Sequence, residues 1–296
     1  MAETSITRDE GIAYLEEEIS EAYEGDETYE LAYILKRLIA EDGITPQGAA
    51  QQIDSYYEDD LLPSQPILQK EKAKGMINLL GALDDLICGL GSVLHYNDVR
   101  QDALIQLILE LRKLPPRQVV IGDNECTDYK DNPIFVRQVY ENWNGYQVYD
   151  SLPGTPLEVQ ESCDKYVNWS SFIARCTSAG FLADKEGYEY KYSTVDISSG
   201  LEEEIPQGKI RNARILAAAN YILLAGSGIR NYCHSYSSDS DRRRRAWEMW
   251  NVWKEKFEAI ANGQDEDPDI KNAAEKAHAV MVELDASGHD APENPP

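Results

Sequence analysis

An all-α fold of about ten helices is predicted, packed as one compact core or as two helical lobes, and three features carry that expectation. Apolar residues recur every three or four positions through most of the chain. Helix starts are punctuated by Ser, Thr or Asn before proline or an acidic turn. A nearly uncharged run, Ile215 to Gly226, is followed by a helix striped with Trp247, Trp250, Trp253, Phe257 and Ile260 at intervals of three, three, four and three.

In chain order, Thr7 and Glu10 have the spacing of a capping box, and Ile12, Leu15, Ile19 and Ala22 then line one face of a first helix. A second helix buries Leu31, Ile34, Leu35 and Leu38 and stops near Gly43. Thr45-Pro46 opens a third, which carries Ile53 and Tyr56 and is closed by Pro63 and Pro66. From Ile67 to His95 the pattern is helical although it holds Gly75, Gly81, Gly89 and Gly91, so close helix packing or a kink must offset their flexibility. Asn97 is the expected cap of the next helix, striped by Leu104, Leu107, Ile108, Leu111 and Leu114 and ended by Pro115-Pro116.

The helical period then fades, leaving a short strand near Val119-Val120 and a short helix over Phe135 to Trp143. This gives an N-terminal helical lobe at 1–114, an irregular connection at 115–155, and a C-terminal helical lobe at 156–284. Within the last lobe Leu157, Val167, Phe172 and Ile173 resume the pattern, Lys185 to Gln207 reads as polar connection, and Ile270 to Leu284 forms the final helix. Residues 285–296 read as a disordered tail. Arg175, in a small and apolar stretch, is expected to be part-buried and paired with an acid or with helix carbonyls.

The chain has 296 residues, 42% of them apolar, enough for a substantial core. Its 53 acidic against 28 basic residues give a formal charge of −25, which repels nucleic-acid backbones and anionic lipid surfaces. No nucleic-acid or membrane role is expected, and the N-terminal residues lack the pattern of a secretory signal. Five cysteines without a CxxC pair fit a reducing, cytoplasmic setting and buried thiols.

Candidate sites are few. The tryptophan stripe reads as core packing. Arg242, Arg243, Arg244 and Arg245 form a basic run that either pairs with the acidic surface or clamps a diphosphate. The four histidines have no metal-ligand spacing, and no nucleophile motif is present. One sharper pattern resembles a class I terpene cyclase, whose two facing helices hold Mg2+ through an aspartate cluster and through Asn/Asp, Ser/Thr and an acid at i, i+4 and i+8. Asp84 and Asp85 offer the cluster, while Asn231, Ser235 and Asp239 match the second spacing. Tyr232 and Trp247 would then line an apolar pocket and face a carbocation. The pattern is loose enough that about one chance match is expected in a chain of this length, and the cluster lacks a third acid.

The blocks Trp169-Ser-Ser-Phe172-Ile-Ala-Arg175-Cys-Thr-Ser-Ala-Gly180-Phe181, Ala218 to Gly226 with Tyr232-Cys233, and Arg245-Ala-Trp247 through Trp250 and Trp253 to Phe257 keep a recognisable order and spacing. With the helix ending at Leu111 to Pro115, they make the chain resemble a large fungal family of helical proteins catalogued only as a domain of unknown function. The resemblance implies a cytosolic, all-α protein and assigns no catalytic residue. The Arg242 to Arg245 run departs from that family pattern. The expected function is therefore a soluble helical binding or interaction protein whose partner is a protein or an apolar small molecule. The alternative is a magnesium-dependent cyclase acting on an isoprenoid diphosphate.

Overall fold

The computed structural model describes residues 9–40, 43–64, 69–121, 124–148, 153–182, 190–235 and 240–287, and leaves aside the side chains of 64, 69–74, 121, 124, 234, 235 and 240–245. It is all-α: among the described residues the strands are confined to one two-stranded antiparallel hairpin. The chain divides into two compact units, Met1–Asn144 and Gly145–Pro296.

In the first unit α1 (Glu10–Glu21) and α2 (Glu27–Ile39) start on aspartates. Thr7 lies outside the described residues; the oxygen that receives the first-turn amides of α1 is Asp9 Oδ1, from Gly11 and Ile12. The expected start of α3 (Pro46–Ser55) is found, Thr45 Oγ1 accepting from Gly48 N at 3.1 Å. Pro63 does not end this segment. The chain widens into a π-helical turn, Tyr56–Leu61, and runs on as α4 (Leu62–Ser64), which contains that proline. Pro66 lies outside the described residues.

The glycine-bearing run is one continuous helix, α5 (Gln69–Val93). Close packing is the reason at Gly89, where a Cβ would stand 2.1 Å from Tyr14 Oη, whereas a Cβ at Gly81 would meet nothing within 4 Å. Gly75–Val93 is long and apolar enough to cross a membrane, with mean hydropathy 1.4, and 61% of it is buried inside the protein. α6 (Val99–Leu111) is capped by Asp98 rather than Asn97, because Asp98 Oδ1 receives Arg100 N at 2.9 Å. Arg100 forks onto the same carboxylate and reaches Asp9 at 2.6 Å, joining the starts of α1 and α6.

The strand expected near Val119-Val120 and the short helix expected over Phe135 to Trp143 are both found. β1 (Gln118–Ile121) pairs with β2 (Asn124–Thr127), Val119 opposite Cys126, and α7 (Asp128–Asp131) and α8 (Pro133–Gly145) follow. Arg117 secures the hairpin by bonding Asp54, Glu58 and Asp128 at 2.7, 2.8 and 3.0 Å while lying over the Tyr57 ring.

The second unit is built around α11 (Lys209–Ser235), which packs along α9 (Pro156–Ser178), α10 (Lys191–Leu201), α12 (Ser240–Ala261) and α13 (Pro268–Ala286). A helix wrapped on that many sides buries most of its circumference, and Ile215, Ala217, Ala218, Ala219, Tyr221 and Ile222 are all buried, with Arg214, Asn220 and Arg230 among them. α9 begins with a complete capping box between Thr155 and Glu158. The aromatic stripe packs as expected: Trp250, Trp253 and Phe257 are fully buried, with Trp247 and Ile260 half-buried at its ends.

Two sequence expectations are corrected here. α10 lies inside the stretch read as polar connection; it was hidden because its buried face includes Ser193, Asp196 and Gly200 beside Ile197 and Leu201. The last helix also passes its expected end, since Asp285 and Ala286 belong to α13 and Asp285 is bonded by Arg230, Trp250 and Lys254. Residues 288–296 of the expected tail lie outside the described residues.

Candidate functional site

The aspartate pair occupies consecutive positions on α5, in the first unit, and the helix turns the two carboxylates into different surroundings. Asp84 is 2% exposed, and both of its oxygens accept from Asn132 Nδ2, at 3.1 and 3.0 Å. Asn132 in turn accepts Phe135 N at 3.2 Å, so the side-chain bridge fixes the start of α8 against α5. Asp85 is exposed and receives the Gln138 amide. Burial pushes the Asp84 carboxyl well above the ordinary carboxylate range, with Asn132 opposing it and Asp85 adding to it. Asp85 is raised more modestly, by burial against the Gln138 bond and with repulsion from Glu141.

A hard divalent cation takes deprotonated oxygens with free lone pairs and room for water. Asp84 offers neither a readily ionised carboxyl nor a free one, so the residues present do not fit Mg2+ at this pair. Among the described residues no group of three or more His, Cys, Asp and Glu side chains could hold a metal ion.

The remaining candidates are in the second unit. Asn231 and Tyr232 are half-buried on α11, where the Tyr232 ring packs 5.0 Å from that of Tyr190. Tyr190 in turn fills the space beside Gly228, its hydroxyl 2.7 Å from where a Cβ would stand. Trp247 is half-buried on α12. Ser235 ends α11 and Arg242, Arg243, Arg244 and Arg245 lie along α12, but their side chains, with all of Asp239, lie outside the described residues. Arg175 is half-buried as expected, and its guanidinium bonds Ser171 Oγ one turn earlier, at 2.5 Å.

The feature that sequence reasoning missed is a polar seam between α9, α10 and α11. Its centre is Asp196, fully buried, whose Oδ2 accepts from Tyr221 Oη at 3.0 Å and whose Oδ1 accepts from Gln147 Nε2 at 3.2 Å. Tyr166, Ser170 and Ser193 are buried beside it. The Tyr166 hydroxyl lies within reach of both Asp196 and Ser199, although neither contact has settled hydrogen-bond geometry. Burial first, then Asp196, raises Tyr166 and Tyr221 well above an ordinary phenol, so both stay protonated. A second buried charge is settled nearby, Arg214 donating to Val148 O through Nε and Nη2 and to Glu203 at 2.6 Å.

No nucleophile and base are aligned in this seam. Its chemistry is that of a buried carboxyl tying α10 to α11 and to the segment that follows α8. The sequence signal that could have found it is Asp196 within a serine-rich run at helical spacing from Ile197 and Leu201.

A family model described as protein of unknown function (DUF3632) matches residues 85–257, more than half of the chain. No curated protein and no solved structure matches it.

Proposed function

The chain belongs to the DUF3632 family of proteins of unknown function, and we propose that it is a non-catalytic helical binding protein acting in the cytoplasm, apart from nucleic acid and membranes. The observation that carries this reading is the closure of Asp84 by Asn132: the most enzyme-like element of the sequence is used to hold α5 and α8 together. The reading is also supported by five free thiols, four of them buried, which suit a reducing compartment. The −25 formal charge supports the exclusion of polyanionic partners.

The rival reading is a magnesium-dependent, class I terpene cyclase-like enzyme acting on an isoprenoid diphosphate. It would require Asp84 to leave Asn132 and ionise, with Asn231, Ser235 and Asp239 as further ligands and the Arg242 to Arg245 run on the diphosphate. Incubating the full chain with Mg2+ and farnesyl diphosphate, then with shorter and longer isoprenoid diphosphates, separates the two readings. Extracts free of hydrocarbon or terpene alcohol are expected. Product formation that disappears in an Asp84→Ala, Asp85→Ala double variant would replace the binding-protein reading with the cyclase.

A further inference from the structure

The first unit carries a groove of about 330 Å³ between α2 and the α3–π segment, upstream of the span shared with the family. From α2 it is lined by Glu30, Tyr33, Ile34 and Arg37, positions three and four apart and therefore on one helix face. From the opposite side come Gln52, Ser55, Tyr56, Asp59 and Asp60. Arg37 Nη1 bonds Gln52 Oε1 at 3.0 Å, while Glu30 and Asp60 both act on Tyr56, so the acids gather toward the end away from Arg37. Along α2 those ends are separated by seven residues, about 10 Å.

Three properties distinguish the acid end from a solvated charge cluster. The wider π turn sets Tyr56, Asp59 and Asp60 along one wall, a local geometry that recurs at functional sites. Tyr33 is 42% exposed, and its ring is held edge-on by Tyr29 with centroids 4.9 Å apart, giving a fixed aromatic face open to the groove. The Tyr56 hydroxyl oxygen is itself closed off from solvent, so what this residue offers the groove is its ring. Burial, with Glu27, Glu30, Asp26 and Asp60, raises that hydroxyl to about 12, so it remains a neutral phenol at physiological pH.

We propose that this groove binds an alkylammonium ion: Glu30, Asp59 and Asp60 pair its charge, and the Tyr33 and Tyr56 rings face its methylene chain. A negatively charged rim over aromatic faces is the combination that recognises organic cations. The volume falls within the size range of small-ligand sites. A bare metal ion would leave the aromatic wall unused. The proposal rests on the reading of this protein as a binder and names the ligand class. The same chemistry has two sources, a free polyamine and a lysine side chain displayed on another protein.

Calorimetric titration of the full chain with spermidine, and separately with a short acetylated peptide carrying two lysines, tests it at constant ionic strength. Saturable binding at one site per chain is expected from at least one probe; the probe that binds identifies the source, and both binding means the groove accepts either. Glu30→Gln with Asp60→Asn should weaken the interaction about tenfold or more. Tyr33→Ala should weaken it several-fold while leaving the melting temperature nearly unchanged, because the residue is 42% exposed, a result that a ring acting only in packing would not give. Glu255→Gln with Glu258→Gln removes the same charge from an exposed face of α12 and should leave the affinity within about twofold.

Equal weakening by both charge-neutralising pairs, binding that never saturates, or no heat from either probe would overturn the proposal. These outcomes do not touch the isoprenoid assay. A failed groove leaves the non-catalytic reading standing, and a cyclase result leaves the groove to be judged on its own titration.

Discussion

Asn132 Nδ2 lies between the two carboxylate oxygens of Asp84, at 3.1 and 3.0 Å, and its own carbonyl oxygen caps Phe135 N. One amide thus connects the middle of α5 to the first turn of α8. Removing the carboxyl would take away the acceptor of the Asn132 amide, so Asp84→Ala should cost about 1–3 kcal/mol in chemical denaturation.

The same contact predicts a pH dependence. Burial, only partly opposed by Asn132, holds the Asp84 carboxyl above its unfolded value. The stabilisation from its neutral form is therefore complete below the ordinary carboxylate range and is lost as pH rises through the elevated folded value. Asp84→Asn keeps the site neutral, and its melting temperature should fall less over that interval than that of the parent. Parallel pH profiles would contradict this assignment.

Asp285 carries the opposite sign. Burial pushes its carboxyl up, but bonds from Lys254, Arg230 and Trp250 outweigh burial and leave it below the ordinary range. Its contribution is present above the unfolded value and lost as acid protonates it through the lower folded value. Arg230 Nε and Trp250 Nε1 each lie 3.0 Å from Oδ1. With the group about one-fifth exposed, Asp285→Ala should cost about 1–3 kcal/mol at neutral pH and much less in acid.

The two tyrosines of the seam should behave differently on loss of their hydroxyls. Tyr221→Phe removes the donor to Asp196 Oδ2 and should destabilise by about 1–3 kcal/mol. Tyr166→Phe removes a hydroxyl that lies near Asp196 and Ser199 without settled hydrogen-bond geometry, and should cost less than Tyr221→Phe. Urea titrations of both variants, compared at one pH, decide the matter; equal losses would mean that Tyr166 shares the network.

Gly200 tests how tightly α10 lies on α11. A Cβ there would come within 2.6 Å of the Arg214 carbonyl oxygen and 3.2 Å of Ala218 Cβ, an obstacle made partly of backbone. Gly200→Ala should cost about 1–3 kcal/mol despite the better helix propensity of alanine. A melting temperature above that of the parent would show that the interface can open without penalty.

Helices with an unbroken apolar stripe were legible in the sequence. α6 with Leu104, Leu107, Ile108 and Leu111, and α12 with Trp250, Trp253 and Phe257, sit on the faces that their spacing dictates. The Thr45-Pro46 start was legible because cap and first-turn proline act within a few residues. α10 was not, since its buried polar face has meaning only once Tyr221 of α11 supplies the donor for Asp196. Asp84 and Asp85 show a related limit. Spacing along a helix reports direction but not burial, and burial together with a distant Asn132 decides what a carboxyl can do.

The matched span opens at residue 85, inside α5, and closes at 257, inside α12. Shared ancestry and physical autonomy therefore have different borders in this chain. A fragment trimmed to those limits would lose α13, stripping the burial partners of Trp250 and Phe257 and leaving Arg230 and Lys254 without Asp285. It would also cut α5 directly after Asp84, deleting one partner of the Asn132 bridge. The segment that the family model matches is, in this protein, one that leans on its flanks in order to stand.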